Sequence, residues 1–153
     1  MKTIEIVKYH QRLSALFDRI KDIDDHELKA HWARYLCILS SGFIETSVRS
    51  IYRAYTRNLA HPNIRNYVEA QLRRLQNPKM QQILDVTRAF DRTWADNLET
   101  ETEGEIKDSI DSIVANRNNI AHGRDVGVSY SRVKSWYDNI VKLVDTLESQ
   151  CGL

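Results

Sequence analysis

From about His26 to Asn58 the chain runs without a proline and with a single glycine, Gly42, while its apolar residues recur at three- and four-residue intervals. That period puts Leu28, Trp32, Tyr35, Leu39, Phe43 and Thr46 on one face of a long helix, with Leu36, Ile44, Val48, Ile51 and Tyr55 beside them. So wide an apolar face implies burial on two sides. Gly42 either admits a close helix approach or marks a kink, and the sequence is compatible with both.

The remaining segments follow the same period. Two prolines and five glycines in 153 residues, with abundant Leu, Ile, Ala, Arg, Glu and Gln, favour helices, and no run alternates as a strand should. The expected fold is an all-α helical bundle of five to six helices with a long second helix, formed as a single domain over residues 1–153. A first helix is expected over Ile4 to Lys21, ending in the acidic turn Asp22-Ile23-Asp24-Asp25. His61-Pro62-Asn63 breaks the chain and starts a short helix to about Leu75, because proline suits a first helical turn. Asn77-Pro78 starts another, with Asn77 as N-cap, to roughly Leu98. Glu99 to Glu105 reads as a connection whose carboxylates suit the N-terminus of the helix that follows. A final helix begins near Ser129 or Ser131 and turns Val133, Trp136, Tyr137, Ile140, Val144 and Leu147 inward.

The chemistry concentrates in Arg117-Asn118-Asn119-Ile120-Ala121-His122, followed by Gly123. Ile106, Ile110, Ile113, Arg117 and Ile120 form one stripe, so a cation interrupts an apolar line. Burying a guanidinium unpaired costs several kcal/mol, so Arg117 should face a carboxylate, a subunit boundary or a bound phosphate. Five residues separate Arg117 from His122, about 140° around an ideal helix. The two converge on one atom only if the helix loosens near Gly123, a natural C-cap, or if a second subunit contributes.

The run R-N-N-I-A-H-G, placed between two amphipathic helices, resembles the R-x4-H signature of the HEPN domains, and the layout of residues 25–149 is most similar to the RiboL-PSP-HEPN group. The resemblance implies an all-helical, usually dimeric domain. It implies a metal-independent endoribonuclease of the kind that acts as a toxin or antiphage effector, or in RNA processing, with Arg117 and His122 as catalytic residues. It also admits a non-catalytic helical module that dimerises and binds a protein or a nucleotide. Partners implied are RNA, a second copy, and for a toxin an antitoxin or neighbouring defence protein; DNA and membrane are not expected.

Metal-free RNA cleavage uses the 2′-hydroxyl as nucleophile and needs a base, an acid and a donor for the phosphorane charge. Histidine titrates near neutral pH, and arginine matches phosphate oxygens with a permanently charged fork. Asn118, one turn before His122, could hold the ring or contact substrate. A twofold dimer would supply one imidazole as base and its mate as acid. The competing structural reading pairs Arg117 with a buried acid and has His122 bond terminal carbonyls. Glu45 and Arg49 read either as an ordinary i,i+4 pair or as supports, with Glu45 fixing Arg117 or His122.

Net charge is only +1, which predicts no bulk attraction to nucleic acid. Its distribution is uneven: residues 49–92 carry nine Lys or Arg against three acids, and residues 96–111 carry seven acids against one lysine. These are either solvated faces that partly neutralise each other or a basic surface that holds a phosphate backbone beside the motif. His26 and His31 are five apart and share no face, so no metal and no cofactor are expected. Trp32, Trp94 and Trp136 read as core. Cys37 and Cys151 match no disulfide framework, no signal-peptide core follows Met1, and no apolar run approaches the ~20 residues that span a bilayer, so a cytoplasmic location is expected.

Overall fold

The computed structural model describes residues 3–153, and among them seven α-helices and no strand are found. α1 spans Ile4–Ile20, α2 His26–Leu59, α3 Pro62–Leu72, α4 Met80–Phe90, α5 Arg92–Thr102, α6 Glu105–Ala121 and α7 Tyr130–Gln150. Among the described residues no helix is long and apolar enough to cross a membrane.

α2 is the element against which the others assemble: α1, α3, α6 and α7 all pack on it. Its start is set by Asp25, whose side chain accepts from Leu28 N–H at 2.9 Å. Leu36, Phe43, Ile44, Val48 and Ile51 are fully buried. Gly42 admits a close approach: the Tyr9 hydroxyl donates to the Leu39 carbonyl at 3.0 Å, and a Cβ on Gly42 would stand 2.7 Å from that hydroxyl. The expected two-sided burial is only half realised. Leu28 and Tyr35 remain 46% and 47% exposed and Ile38 36%, because in a single chain no helix covers that strip.

The chain has one helix more than expected, because the run from Pro78 to Leu98 is broken at Asp91. This residue is extended, at φ −155° and ψ 124°; its N–H closes α4 on the Thr87 carbonyl and its side chain accepts from Trp94 N–H at 2.9 Å to open α5. One aspartate is thus C-cap and N-cap at once. Phe90 stacks on Tyr52 with ring centres 4.4 Å apart, and Trp94 meets Tyr55 edge-on, so the break turns both aromatics onto α2. Two boundaries also shift. Lys79, not Asn77, is the N-cap of α4, since Asn77 has φ 43° and lies in the turn before it. α5 runs through Thr102, so Glu99 to Thr102 are helical and only Glu103 and Gly104 connect it to α6.

The final helix begins at Ser129, whose side chain accepts from Arg132 N–H, and Val133, Tyr137, Ile140, Val144 and Leu147 are buried as its period requires. Trp32, Trp94 and Trp136 pack half-buried against the core. Between α1, α2 and α7 lies an aromatic cluster in which His10 Nδ1 is 2.7 Å from the Tyr137 hydroxyl and the two rings stack. Burial holds the His10 imidazole below its ordinary value of 6.5, against the opposing pull of Asp145 and Asp138 and with Lys134 adding to it. The folded state therefore binds fewer protons than the unfolded one, so this contribution is complete above about pH 6.5 and is lost as pH falls below it. Lowering pH from 7.5 to 5.5 should reduce the melting temperature of the wild type more than that of His10→Gln, and parallel losses in thermal scans would contradict this account.

Candidate active site

Ile110 and Ile113 anchor α6 in the core, which carries Arg117 one turn further on to the rim, half-buried. Its head enters a groove of about 520 Å³ between α1, α2, α6 and the turn after α3, where Tyr9, Gly42, Glu45, Arg49 and Arg73 also form the walls. Arg117 Nη1 donates to Asn118 Oδ1 at 3.2 Å, and among the described residues no carboxylate lies within ion-pair distance of the guanidinium. Of the three environments expected for this cation, the paired carboxylate is therefore not the one adopted within the chain.

α6 stays helical up to the histidine. The His122 N–H bonds the Asn118 carbonyl at 3.1 Å, and only at Gly123, with φ 69°, does the chain turn away. Gly123 N–H then bonds the Ile120 carbonyl and Arg124 N–H the Asn119 carbonyl, each at 3.0 Å, which completes a Schellman end. The loosening comes after His122, so it does not swing the imidazole toward Arg117. The ring is exposed, lies off the groove, and has no hydrogen-bond partner among the described residues; it is the main chain, not the imidazole, that satisfies the terminal carbonyls. Asn118 links the pair through its two ends, its amide oxygen on Arg117 and its carbonyl on the His122 N–H. The amide thus orients the guanidinium rather than the ring.

A profile of the RiboL-PSP-HEPN family matches residues 4–152. The chain belongs to the RiboL-PSP-HEPN family. No curated protein and no solved structure matches it significantly. HEPN domains are often ribonucleases, and they commonly bind RNA and dimerise.

In this HEPN domain Glu45 reaches neither Arg117 nor His122, contrary to the supporting role considered for it. Its oxygens are taken by Arg49 Nη1 at 2.8 Å and by Asn77 N–H at 2.6 Å, because the positive-φ turn at Asn77 presents a main-chain donor that must be met. Arg49 does more than complete a helix pair. Its Nε donates to the Leu72 carbonyl at 3.0 Å, and its Nη2 to those of Arg73 and Leu75 at 3.0 and 2.6 Å, which satisfies carbonyls at the end of α3. Both side chains face the groove, yet as its scaffold.

Two contributors carry no mark in the sequence. Arg73 reaches the groove only because Arg49 fixes the α3 end, so no local pattern signals it. Arg34 donates from Nε to the Val126 carbonyl at 3.2 Å and from Nη2 to Asp125 at 3.1 Å, pinning the loop after His122 onto α2. Cys37 and Cys151 are buried, and burial pushes their thiols up to about 12 and about 11, so neither is a thiolate nucleophile at neutral pH.

The geometry separates a scaffold arginine from a site arginine. Arg49→Met should lower stability by about 2–3 kcal/mol, since it strands several carbonyls and a carboxylate. Arg117→Met should change it by less than about 0.5 kcal/mol. Urea denaturation of the two variants checks both values, and equal losses would remove the distinction.

Proposed function

We propose that this HEPN domain is a metal-independent endoribonuclease whose site is composed across a homodimer. The observation that carries the reading is the half-buried Arg117 guanidinium, which opens onto a groove beside Arg73 with a neutral amide as its hydrogen-bond partner, while Arg49 and Glu45 in the same wall neutralise each other. A phosphate is the ligand such a fork fits, bidentately and with charge. The Arg117 fork would stabilise the phosphorane as the 2′-oxygen bonds to phosphorus and the bond to the 5′-oxygen breaks. One His122 imidazole takes the 2′-hydroxyl proton and a second, protonated imidazole gives a proton to the departing 5′-oxygen. The products are a 2′,3′-cyclic phosphate and a 5′-hydroxyl.

Two imidazoles require two chains, since each has a single histidine in the motif. The uncovered strip of α2 supports a second copy as its partner: Tyr35 and Ile38 are exposed, and Ile38 also borders the Arg117 groove. Burying that strip against its symmetry mate would complete the second half of the expected burial and set two motifs at one interface. A role as a toxin or antiphage effector, restrained by an antitoxin or neighbouring defence protein, is consistent with such an activity and is part of the proposal.

The test incubates labelled single-stranded and transfer RNA with wild type, Arg117→Ala and His122→Ala in EDTA. Cleavage by the wild type alone, leaving 2′,3′-cyclic phosphate ends, is expected; 5′-phosphate ends would refute the mechanism. The double variant Tyr35→Glu/Ile38→Glu should be monomeric by light scattering and should lose at least tenfold in rate while keeping its helical content. A fully active monomer would end the composite-site reading. The non-catalytic module is favoured by one observation, the position of His122 off the groove within one chain. RNA or nucleotide binding with no cleavage by any of the proteins would decide for it.

A further inference from the structure

The Arg117 groove does not end at Tyr9. A second hollow of about 200 Å³ adjoins it between α1 and α2, lined by Tyr9, Arg12, Leu13, Leu16, Tyr35 and Leu39. Tyr9 and Leu39 line both spaces. The α1 residues fall on one stripe, at positions 9, 12, 13 and 16, and Tyr35, Leu39, Gly42 and Thr46 follow one ridge of α2 from the hollow into the groove. The two spaces are therefore consecutive stretches of one seam between the helices, with Tyr9 and Leu39 at the join. Tyr9 is fixed there: its ring stacks on the buried Phe43 with centres 5.5 Å apart, and its hydroxyl donates to the Leu39 carbonyl over Gly42.

The hollow joins an apolar floor to an uncommitted cation. The Arg12 guanidinium carbon stands 5.5 Å from the centre of the Tyr9 ring, and among the described residues the group meets no carboxylate within ion-pair distance and no hydrogen-bond acceptor. Glu5, two turns earlier on α1, spends its carboxylate on the Ser50 hydroxyl and stands 3.8 Å from Arg53. The Tyr9 ring thus places the guanidinium while its N–H donors stay available to an anion. Leu13, Leu16 and Leu39 add apolar surface, which a free phosphate would not use and a nucleobase would. Tyr35, half-exposed, stands on the α2 side, so the hollow opens beside the strip proposed for the second copy. Aromatic and apolar walls with one arginine, continuous with a phosphate-binding groove, suit the base and phosphate of one nucleotide. We infer that this hollow is a nucleotide subsite next to the scissile phosphate, taking the adjoining base against Leu16, Leu39 and Tyr35 while Arg12 holds that nucleotide's phosphate. The inference deepens the nuclease reading and rests on it for the role of the strand as substrate, but binding in the hollow does not require cleavage.

The test measures fluorescence anisotropy with two labelled 2′-O-methyl oligomers of equal length, an oligouridylate and its abasic counterpart, which both lack the nucleophile and cannot be cut by the proposed chemistry. Wild type, Arg12→Gln, Leu16→Gln and Arg92→Gln are compared across salt concentrations, after thermal scans verify that each is folded. Arg92 is an exposed cation at the start of α5 that lines neither space, so it controls for bulk charge. Arg12→Gln should bind the oligouridylate at least threefold more weakly and flatten the log–log salt slope by about 0.7, the share of one phosphate of a single strand. The wild type should bind the abasic oligomer at least fivefold more weakly than the oligouridylate, and Leu16→Gln should narrow that gap by weakening only the oligouridylate. Unchanged affinity in Arg12→Gln, equal losses in Arg12→Gln and Arg92→Gln, or equal binding of the two oligomers by the wild type overturns the subsite. No binding by the wild type overturns it too, as does a change in oligomeric mass of Arg12→Gln without a change in RNA affinity, which would give the hollow to the second copy. A wild type that meets these expectations yet leaves natural RNA intact refutes the nuclease and spares the subsite, whereas cleavage of natural RNA with equal binding of the two oligomers does the reverse.

Discussion

Arg49 and Glu45 sit one turn apart on α2, and together they hold a stretch of chain that has no regular structure of its own. The guanidinium collects the carbonyls of Leu72, Arg73 and Leu75, and the carboxylate takes the Asn77 N–H. The pair neutralises itself, at 2.8 Å, so the charges that tie the turn add no net field to the groove they border. Helix ends leave main-chain groups unmet, and a buried or half-buried one costs as much as a lost hydrogen bond. Meeting the groups on both sides of this turn fixes where α3 stops and where α4 begins. It also fixes the groove, whose far wall is that turn.

A second tie works from the opposite side. Asp111 of α6 accepts from the Met80 N–H at 2.9 Å and from Lys107 Nζ at 3.0 Å, so the motif helix itself caps α4. α6 is held to α7 by Asn139, which donates to the Ser109 hydroxyl at 3.0 Å inside the core. Arg117 thus projects from a helix fastened on two faces, and its position is set by packing rather than by the charge it carries. Polar ties of this kind select one register among several that the apolar stripes alone would allow.

The helices were legible where local chemistry announces them. Pro62 at the start of α3 and Ser129 before α7 are short-range signals, and the three-to-four spacing gave the buried face of α7, whereas on α2 it also marked Leu28 and Tyr35, which stay exposed. Asp91 was not legible, because the apolar period continues through it and the break is stabilised by its own side chain and by stacking of Phe90 on Tyr52, a residue far away in sequence. Asn77 looked like a cap because its side chain suits one, yet its backbone is held at positive φ by an acceptor from α2. In the site, Arg117 stood out as a cation on an apolar line. The groove around it did not, since Tyr9, Arg49 and Arg73 come from three different helices or their ends and converge only in the folded chain. The open strip of α2 was visible as excess hydrophobicity, but a sequence cannot distinguish a face covered by its own chain from one left for another.

α3 differs from its neighbours in how it is attached. Its main packing partner is α2, and it contributes one fully buried side chain, Leu72, beside the ion pairs of Arg53 with Glu69 and the carbonyls caught by Arg49. These hydrogen bonds and ion pairs amount to a few kcal/mol with little apolar burial behind them, less than the core of the bundle stores, so this segment can detach without opening the core. Its amides should therefore report a local opening event well below the global unfolding free energy. The arm is, in effect, a clasp sprung on three arginine-to-carbonyl bonds, and its release would change the outline of the Arg117 groove while leaving α6 and α7 in place.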